Sequence, residues 1–405
     1  MRKIETYYEP LKVLKDHEIE CEMTDSQLAF LCGLIKDKQP KKIVEVGVAH
    51  GGTTCVILQC LKEIGITTSL HSVDISKECY RASGKRTGYA VDMAFPELPH
   101  EISHFWHLGN ALPCYLEEIG GDIDFLILDT VHSLPGEMLD FLAALPYLSP
   151  NAVVVLHDIT LNQITYNEFG YATRIVYETA VAEKIIADGV DPDEILPGIG
   201  AFQVTNDTIK YIEKCFSSLS ITWKYDLPDK DLEQYRTIYR KFYDTALVEL
   251  FDKTIAINRK RMLDEKQRKE KSERALIEFH KCVTGEYKIV LYGGGFWAEL
   301  ITQYLHAVKR EADAYIVSDN ADISACRIKD NIFHYSDLPY PQEECCLIMA
   351  IDSDKQKSVS KNISANSFRH IFCGEGYVYD RLEAYIKDVV ILKKAGDSLP
   401  ERMEQ

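Results

Sequence analysis

The sequence predicts an α/β fold: a doubly wound, mostly parallel sheet, then a helical linker, then a second and smaller α/β unit. Short apolar runs alternate with amphipathic segments along most of the chain, which is typical of strands buried on both faces of a parallel sheet. Glycine-rich turns follow two of these runs, at Gly47 and at Gly293–Gly295. Between these turns, the stretch from Asp229 to Cys282 contains neither Gly nor Pro and has a helical composition.

Composition narrows the class of protein. The chain has 405 residues, 46% of them hydrophobic, which is enough for two or three domains with real cores. The net charge of −17 argues against general binding to nucleic acid or to anionic membranes. The 12 cysteines form no C-x-x-C pair and no apolar run approaches the ~18 residues of a membrane span, so a cytoplasmic protein with reduced thiols is expected.

Five segments follow from these patterns. Thr24 or Asp25 can cap a helix that runs to about Lys38. For residues 1–23, which precede this helix, the sequence leaves three alternatives: a lid, a dimer arm or a loosely packed lead-in. The predicted bounds are 1–40 for an N-terminal helical lead-in, 41–227 for the main domain, 228–284 for a helical linker, 285–395 for the second α/β domain and 396–405 for a tail.

The stretch from Lys42 to Thr54, KIVEVGVAHGGTT, organises the main domain. Its apolar run predicts a buried strand, Gly47 and Gly51 predict a tight turn, and a helix follows. Glycines allow close approach of a ligand to the backbone, and a helix start offers free N–H donors. Glu45 is unusual in an apolar strand. It either bonds a cationic or hydroxyl-bearing ligand or is a solvated residue of a structural turn.

Acids and glycines follow the next two predicted strands. The predicted strand Leu70–Asp74 ends in an acid. Its separation from Gly51 is close to the roughly 20 residues that lie between the glycine turn and the ribose-binding acid of dinucleotide folds. The glycine pattern, however, is not the dinucleotide G-x-G-x-x-G. Residues 103–108 predict a third strand, which Gly109 and Asn110 follow.

Two further strands each deliver an acid and an imidazole to the same edge. Residues 123–128 form the clearest buried strand and lead to Asp129 and His132, and residues 152–156 lead to His157 and Asp158. Each acid alone is as readily a helix cap. Two acids with a third oxygen donor are also able to hold Mg²⁺.

These motifs, in this order, resemble the class I S-adenosylmethionine-dependent methyltransferases, in particular the O-methyltransferases that act on small molecules and sugars. The turn VEVGVAHGG, the acid at Asp74, the D-x-x-H-S at Asp129 and the L-H-D at Asp158 carry the resemblance, which covers about residues 24–225. It implies S-adenosylmethionine as the cofactor, bound by Glu45, Gly47, Ala49, Gly51, Thr53, Asp74, Gly109, Asn110 and Asp129.

The same resemblance assigns the chemistry. It implies that His132, His157 and Asp129 are catalytic and that Asp129 and Asp158 hold a metal, Mg²⁺, if one is present. Catechol-type relatives place an Asn ligand after the second acid, whereas this chain has Ile159. Without a metal, an imidazole is the expected base.

The later part of the main domain is less distinctive. Gly198–Val204 predicts a late strand, and Ile221–Tyr225 predicts another strand or an extension. Residues 160–190 predict a helical segment after a loop, with Tyr166, Tyr171 and Arg174 as candidate acceptor contacts.

The predicted helical linker has two readings. Its part from Arg259 to Arg274 is dense in charge and reads as a solvated helix with i,i+4 pairs. The apolar residues before it instead suggest a dimerisation arm; they are Leu247, Leu250, Ile255 and Ile257.

The second α/β unit starts at Tyr287. Strands are predicted at 288–292, 314–319, 347–351 and 370–372, with the glycine turn after the first. This unit resembles the Rossmann-like accessory domains found beside sugar-modifying enzymes, some of which bind a nucleotide-sugar, whereas others bind nothing detectable.

The resulting hypothesis is an enzyme that methylates a hydroxyl of a sugar or another small-molecule acceptor, a nucleotide-sugar included. The alternative is a non-catalytic module that binds a nucleotide-sugar through a degenerate methyltransferase domain. A nucleotide-sugar oxidoreductase would need the G-x-G-x-x-G turn that the main domain lacks.

Overall fold

A computed structural model describes residues 2–161, 171–187, 198–361, 363, 367–374 and 377–395. The chain forms two compact units, Met1–Arg261 and Met262–Gln405. The domain bounds predicted above stay predictions. Among the described helices, none combines the length and the apolar character that a bilayer crossing needs.

The first unit is built on an eight-stranded, mostly parallel sheet in the order β1-β7-β8-β6-β5-β2-β3-β4. Strands β2 to β6 run parallel, and β8 is antiparallel to both β6 and β7. The strands are β1 Arg2–Ile4, β2 Lys42–Val46, β3 Thr68–Asp74, β4 Ile102–Leu108, β5 Ile123–Leu128, β6 Leu148–His157, β7 Glu183–Ala187 and β8 Ile199–Gln203.

Helices cover both faces of this sheet, and a separate apolar core lies on each face. Neighbouring residues of β2 belong to different cores, Ile43 to one and Val44 to the other, as alternation along a strand requires. The α-helices are Lys12–Asp16, Asp25–Lys38, Gly52–Ile64, Tyr89–Ala94, Leu116–Ile119, Gly136–Ala144, Ala172–Thr179, Asn206–Lys210, Glu213–Ser218, Asp229–Phe242 and the start of Thr245–Thr284. The predicted doubly wound fold is confirmed.

The register of the strands gathers their carboxyl ends. Val46 of β2 lies beside Leu128 of β5 and Val73 of β3. The residues that follow these three are Gly47, Asp129 and Asp74, which therefore meet at one edge of the sheet. Parallel α/β sheets bind their ligands at this edge.

Gly47 makes this edge tight. Its φ is +93°, and a Cβ built on it would lie 1.7 Å from the carbonyl oxygen of Asp129. Only glycine fits such a contact in this conformation.

Several elements differ from those predicted. Strands β1 and β7 pair with each other in parallel at the far edge, and neither was predicted. Ile221–Tyr225 is not a strand. Instead, Trp223 is buried, and its backbone N–H donates to the side-chain oxygen of Asn258 at 3.0 Å.

The predicted linker begins as part of the first unit. Helix Asp229–Phe242 buries Leu232, Tyr235, Ile238 and Tyr239 in one of the two cores. The next helix, Thr245–Thr284, adds Val248, Phe251 and Ile255 to the same core, and Leu247 and Leu250 pack against it. Of the apolar residues that suggested a dimer arm, only Ile257 is exposed.

The second unit carries a five-stranded parallel sheet in the order β11-β10-β9-β12-β13. Its strands are β9 Lys288–Tyr292, β10 Ala314–Val317, β11 Ile332–His334, β12 Cys345–Met349 and β13 His370–Phe372. The α-helices are the end of Thr245–Thr284, Phe296–Ala307, Ser353–Ser360 and Tyr377–Ala395. The glycine turn follows β9 as predicted, whereas β11 was not predicted.

Candidate functional site

A cavity of about 550 Å³ lies at the carboxyl ends of β2 to β5. This volume is within the range of small-ligand sites. It is lined by the turn after β2, the ends of β3 and β4 and the segment after β5. The N-terminal loop and the segment around the helix Asp229–Phe242 complete the lining. The lining residues include Cys21, Glu22, Gly47, Ala49, Thr53, Asp74, Ile75, Asn110, Leu112, Asp129, Val131, His132, Leu139, Asp140, Asp158, Tyr225, Leu227 and Tyr235.

Asp74 fixes the turn after β2. One carboxylate oxygen accepts hydrogen bonds from the backbone N–H groups of Val48 (2.9 Å) and Ala49 (3.2 Å), and the other accepts one from that of Ser76 (2.8 Å). A carboxylate can accept about four hydrogen bonds. Asp74 therefore keeps acceptor capacity for a ligand hydroxyl in the cavity that it lines.

The structure brings most of the predicted cofactor residues to this cavity. Six of the nine line it: Gly47, Ala49, Thr53, Asp74, Asn110 and Asp129. The other three, Glu45, Gly51 and Gly109, do not line it.

Glu45 lies inside the fold, with 1% of its surface exposed. Its carboxylate accepts hydrogen bonds from the hydroxyls of Thr54 (2.8 Å) and Ser72 (2.8 Å). These bonds tie β2 to the helix Gly52–Ile64 and to β3. Burial raises the pKa of Glu45 to about 7, and the two hydroxyls only partly oppose this. Glu45 therefore holds the strand before the turn in place, and its role as a cofactor contact stays a prediction.

Glu45→Gln is expected to gain stability relative to the wild type as the pH rises. The folded protein holds the proton of Glu45 between the ordinary pKa of 4.5 and about 7, so ionisation of this group costs up to about 3 kcal/mol of stability across that window. Glutamine is of equal size and does not ionise. The difference in free energy of unfolding between variant and wild type, measured by denaturant titration, should grow from about pH 5 to about pH 8. If the free energies of unfolding of variant and wild type differed by the same amount at both pH values, the buried carboxyl of Glu45 would not be the group that titrates.

Two imidazoles and two carboxylates meet after β5 and β6. His157 Nδ1 lies 3.0 Å from Asp129 Oδ1. His132 Nε2 lies 3.5 Å from the same oxygen and 3.4 Å from Asp158 Oδ2. The backbone of both His132 and Asp158 is left-handed, with φ of +54° and +56°, a conformation uncommon for residues other than glycine. All four predicted catalytic and metal residues are therefore neighbours.

His157 is held from both sides. Besides Asp129 at Nδ1, its Nε2 lies 3.2 Å from Gln27 Oε1. Both partners are acceptors, which is the environment of an imidazolium with two N–H donors. Burial lowers the pKa of His157, but the charge and hydrogen bond of Asp129 outweigh it and leave this pKa above its ordinary value. Burial likewise opposes the effect of His157 on Asp129, whose pKa is nevertheless lowered.

Glu137 lies beneath His132 and is fully buried. One of its oxygens accepts hydrogen bonds from the His132 backbone N–H (2.6 Å) and the Thr130 hydroxyl (2.8 Å), and it lies 3.6 Å from His132 Nδ1. Three carboxylates therefore surround His132.

This donor set fits Mg²⁺ poorly. Ligand atoms of Asp129, His132 and His157 lie within 4.8 Å of one another, as those of a metal site would. Two of these three donors are imidazole nitrogens, whereas Mg²⁺ prefers oxygen ligands in octahedral geometry. The predicted pair Asp129 and Asp158 is separated by His132, which contacts both carboxylates.

A second and more polar cavity, of about 800 Å³, adjoins the first. The two share Cys21, Glu22, His50 and Asp158. The remaining lining residues are Glu18, Ile19, Glu20, Thr24, Gln27, Arg81, Lys85, Tyr89, Ala90, Met93 and His157. The sequence predicts residues 76–100 to be either a pocket wall or a surface insertion. Five of these residues line the second cavity: Arg81, Lys85, Tyr89, Ala90 and Met93.

Several residues of the site were not predicted from the sequence. Gln27, Glu137, Asp140 and Tyr235 reach it from helices whose patterns indicated only amphipathic packing. Asp140 is 6% exposed and accepts a hydrogen bond from the Tyr235 hydroxyl at 2.7 Å. Burial raises the pKa of Asp140 to about 7, and the bond from Tyr235 opposes this rise.

Two of the three candidate acceptor contacts line neither cavity. Tyr171 is exposed and lines neither cavity. Arg174 pairs with Glu178 on its own helix at 2.6 Å. Tyr166 lies outside the described residues.

Known proteins resemble this chain in structure at a low level. The O-methyltransferase TomG from Streptomyces achromogenes, described as involved in tomaymycin synthesis and solved with SAM, shares 16% identity at a TM-score of 0.35 over 49% of this chain and 88% of its own. The SAH-bound Podospora anserina methyltransferase PaMTH1 shares 12% identity at a TM-score of 0.34, over 49% of this chain and 88% of its own. An O-methyltransferase from Bacillus cereus solved with SAH shares 16% identity at a TM-score of 0.32, over 48% of this chain and 89% of its own. Nothing about the activity of this chain follows from likeness at this level.

The sequence comparison is more specific. Among curated proteins, none matches this sequence. A family described as "Methyltransferase domain" matches residues 44–159, less than half of the chain. Asp74, Asp129, His132, His157 and Asp158 all lie within the segment that matches this methyltransferase domain.

Proposed function

We propose that this protein is an S-adenosylmethionine-dependent methyltransferase that methylates a hydroxyl of a sugar or another small-molecule acceptor. The observation that carries the proposal is the cavity at the carboxyl ends of β2 to β5, which opens onto the cluster of Asp129, His132 and Asp158. A donor in this cavity would place its reactive end beside groups able to take a proton.

The donor suits the lining of the first cavity. Gly47 and Ala49 let a ligand approach the backbone, Thr53 lies at the start of the next helix, and Asp74 has acceptor capacity for ribose hydroxyls. When bound, S-adenosylmethionine supplies an electrophilic methyl group on a sulfonium centre. The chain has to align the acceptor oxygen with it and to remove the acceptor proton.

His132 is the proposed base. His157 is less suited, because both of its ring nitrogens are already engaged, Nδ1 by Asp129 and Nε2 by Gln27. The acceptor oxygen would form its bond to the methyl carbon as the carbon–sulfur bond breaks, with that electron pair remaining on sulfur, and the proton would pass to Nε2 of His132. Asp129, Asp158 and Glu137 would stabilise the resulting imidazolium. The proposed proton transfer does not involve Mg²⁺, since the donor set does not fit that ion.

The second cavity is the proposed acceptor site. It meets the first cavity at Asp158, so that a molecule bound in it would reach the reactive end of the donor. Its lining residues include the carboxylates of Glu18 and Glu20, the basic side chains of Arg81 and Lys85, and the ring of Tyr89. Such walls suit a molecule with several hydroxyls, which supports a sugar over a plain aromatic phenol. The alternative of a non-catalytic binding module is not favoured, because binding alone does not require an imidazole amid carboxylates.

Asp74→Asn is expected to weaken donor binding by about 10- to 100-fold, because it removes the charge from a hydrogen bond to a ribose hydroxyl. Calorimetric titration with S-adenosylmethionine and S-adenosylhomocysteine measures this. Asp122→Asn is the matched control, since Asp122 is exposed, lies before β5 and has a positive φ that Asn also tolerates. Failure of the wild type to bind either compound would overturn the proposed function.

A further inference from the structure

We propose that Asp140 recognises the exocyclic amino group of the donor's adenine ring, and that the helix Asp229–Phe242 completes the donor site by holding Asp140 in place. This inference rests on the proposed function, because it assumes that the first cavity binds an adenosyl donor. It assigns a ligand contact to a residue that lies on a helix rather than in a glycine turn.

The order of the strands gives the cavity a direction. Across the sheet, β5 brings Asp129, β2 brings Gly47, β3 brings Asp74 and β4 leads to Asn110. The reacting end of the donor belongs at Asp129, beside the proposed base, and the ribose belongs at Asp74. The base of the nucleoside must then lie towards the β4 end of the cavity.

The helix that carries Asp140 borders the β4 end of the cavity. The short helix Leu112–Cys114, which follows β4, contacts both the helix Gly136–Ala144, which carries Asp140, and the helix Asp229–Phe242. Apolar side chains from the turn after β4, from the helix that carries Asp140 and from the segment before the helix Asp229–Phe242 line the cavity; they include Ala111, Leu112, Leu139, Tyr225 and Leu227. A flat, mostly apolar ring suits such walls, and a few placed polar groups then fix its orientation.

Asp140 offers an acceptor that the protein does not use. Its Oδ1 accepts the Tyr235 hydroxyl at 2.7 Å, while Oδ2 has no hydrogen-bond partner among the described residues. Only 6% of the residue's surface is exposed. Its Oδ2 is nevertheless not sealed off inside the protein. Because Asp140 lines the cavity, Oδ2 is open to a ligand in it. An oxygen acceptor at the end of an apolar slot selects a ring that carries an N–H donor.

The helix Asp229–Phe242 fixes this acceptor. Tyr235 holds Asp140 itself, and the Tyr239 hydroxyl, one turn further, donates to the carbonyl of Leu139 at 3.0 Å. The Tyr243 hydroxyl, from the residue that directly follows the helix, donates to the carbonyl of Leu142 at 2.6 Å. Two tyrosines of the helix and the one at its end thus bind it to the helix that carries Asp140. A contact that only filled space would not need this row of hydroxyl bonds.

The test compares S-adenosylhomocysteine with its 6-deamino analogue, in which purine replaces adenine and the amino group is absent. Calorimetry on the full chain gives the ratio of the two dissociation constants. The wild type should bind the analogue about 10- to 100-fold more weakly. In Asp140→Ala, this ratio should fall to within about two-fold of one, because ligand and variant then lack the two halves of the same bond.

Two further variants keep the test decisive. Asp140→Asn retains the size of the side chain and should lower the ratio at least about three-fold if the alanine variant does not fold. Asp122→Asn, the exposed control used above, should leave the ratio at its wild-type value. A wild-type ratio near one, or a ratio unchanged in the Asp140 variants, would overturn the inference while the proposed function stands. Failure of the wild type to bind S-adenosylhomocysteine would overturn both.

Discussion

Replacing His132 with Gln is expected to slow methyl transfer by about 10²- to 10⁴-fold, which is the usual contribution of a positioned base. Donor affinity should change little, because the side chain lies at the reacting end of the cavity and not along its length. The imidazole is surrounded by Asp129, Asp158 and Glu137 at 3.4–3.6 Å, and glutamine cannot take up the proton that these carboxylates would stabilise.

The measurement is transfer of a labelled methyl group to an acceptor that the wild type methylates, with donor affinity followed in parallel by calorimetry. A chelator in the buffer keeps loss of a base separate from loss of a bound metal. His100→Gln is the control, because the side chain of His100 is 92% exposed and lies far along the chain from the cluster. His157→Gln should lower the rate less than His132→Gln. The reverse order would transfer the role of base to His157.

The sequence predicted which residues come together at this edge wherever neighbouring strands impose proximity. Asp74, Asp129 and Asp158 each follow a buried strand, and parallel strands deliver such residues to one edge. It could not predict which partners these residues choose there. Gln27 reaches His157 over 130 positions of sequence, and the helix that carries it shows only an ordinary capping box and apolar pattern.

Glu45 shows the other limit of sequence reasoning. A carboxylate in an apolar strand predicts either a ligand contact or a solvated residue, and the burial of Glu45 rules out the solvated residue. The hydroxyls of Thr54 and Ser72 donate hydrogen bonds to its carboxylate inside the fold and so partly offset the cost of burying it. Whether a buried acid faces a cavity or its own scaffold depends on which face of the strand it occupies, and both faces of this strand are buried.

The edge strands β1 and β7 were not predicted for a similar reason. Arg2–Ile4 has three residues, which is too short for a periodic signal, and its pairing with β7 spans most of the first unit. At residues 221–225, of the two predicted alternatives, the strand is not formed. There an apolar-rich run imitates a strand, but Trp223 is satisfied by Asn258 of a distant helix rather than by a neighbouring strand.

Gly47→Ala is expected to destabilise the first unit by several kcal/mol, on the order of 4 or more. The new Cβ would lie 1.7 Å from the Asp129 carbonyl oxygen, and both sides of this contact are backbone, so that no side chain can rotate away. Relief requires the ends of β2 and β5 to separate. That movement would also pull the turn after β2 away from Asp129, so donor binding should be lost together with stability.

Gly65→Ala separates the clash from the cost of the backbone conformation. Gly65 also has a positive φ, +66°, but a Cβ there meets nothing within 4 Å. Its substitution should cost only the left-handed conformation, about 1–2 kcal/mol. Denaturant titration of both variants measures the difference. Equal losses would show that the edge of the sheet yields to a methyl group, and the close packing of β2 against β5 would then not be what fixes the donor turn beside Asp129.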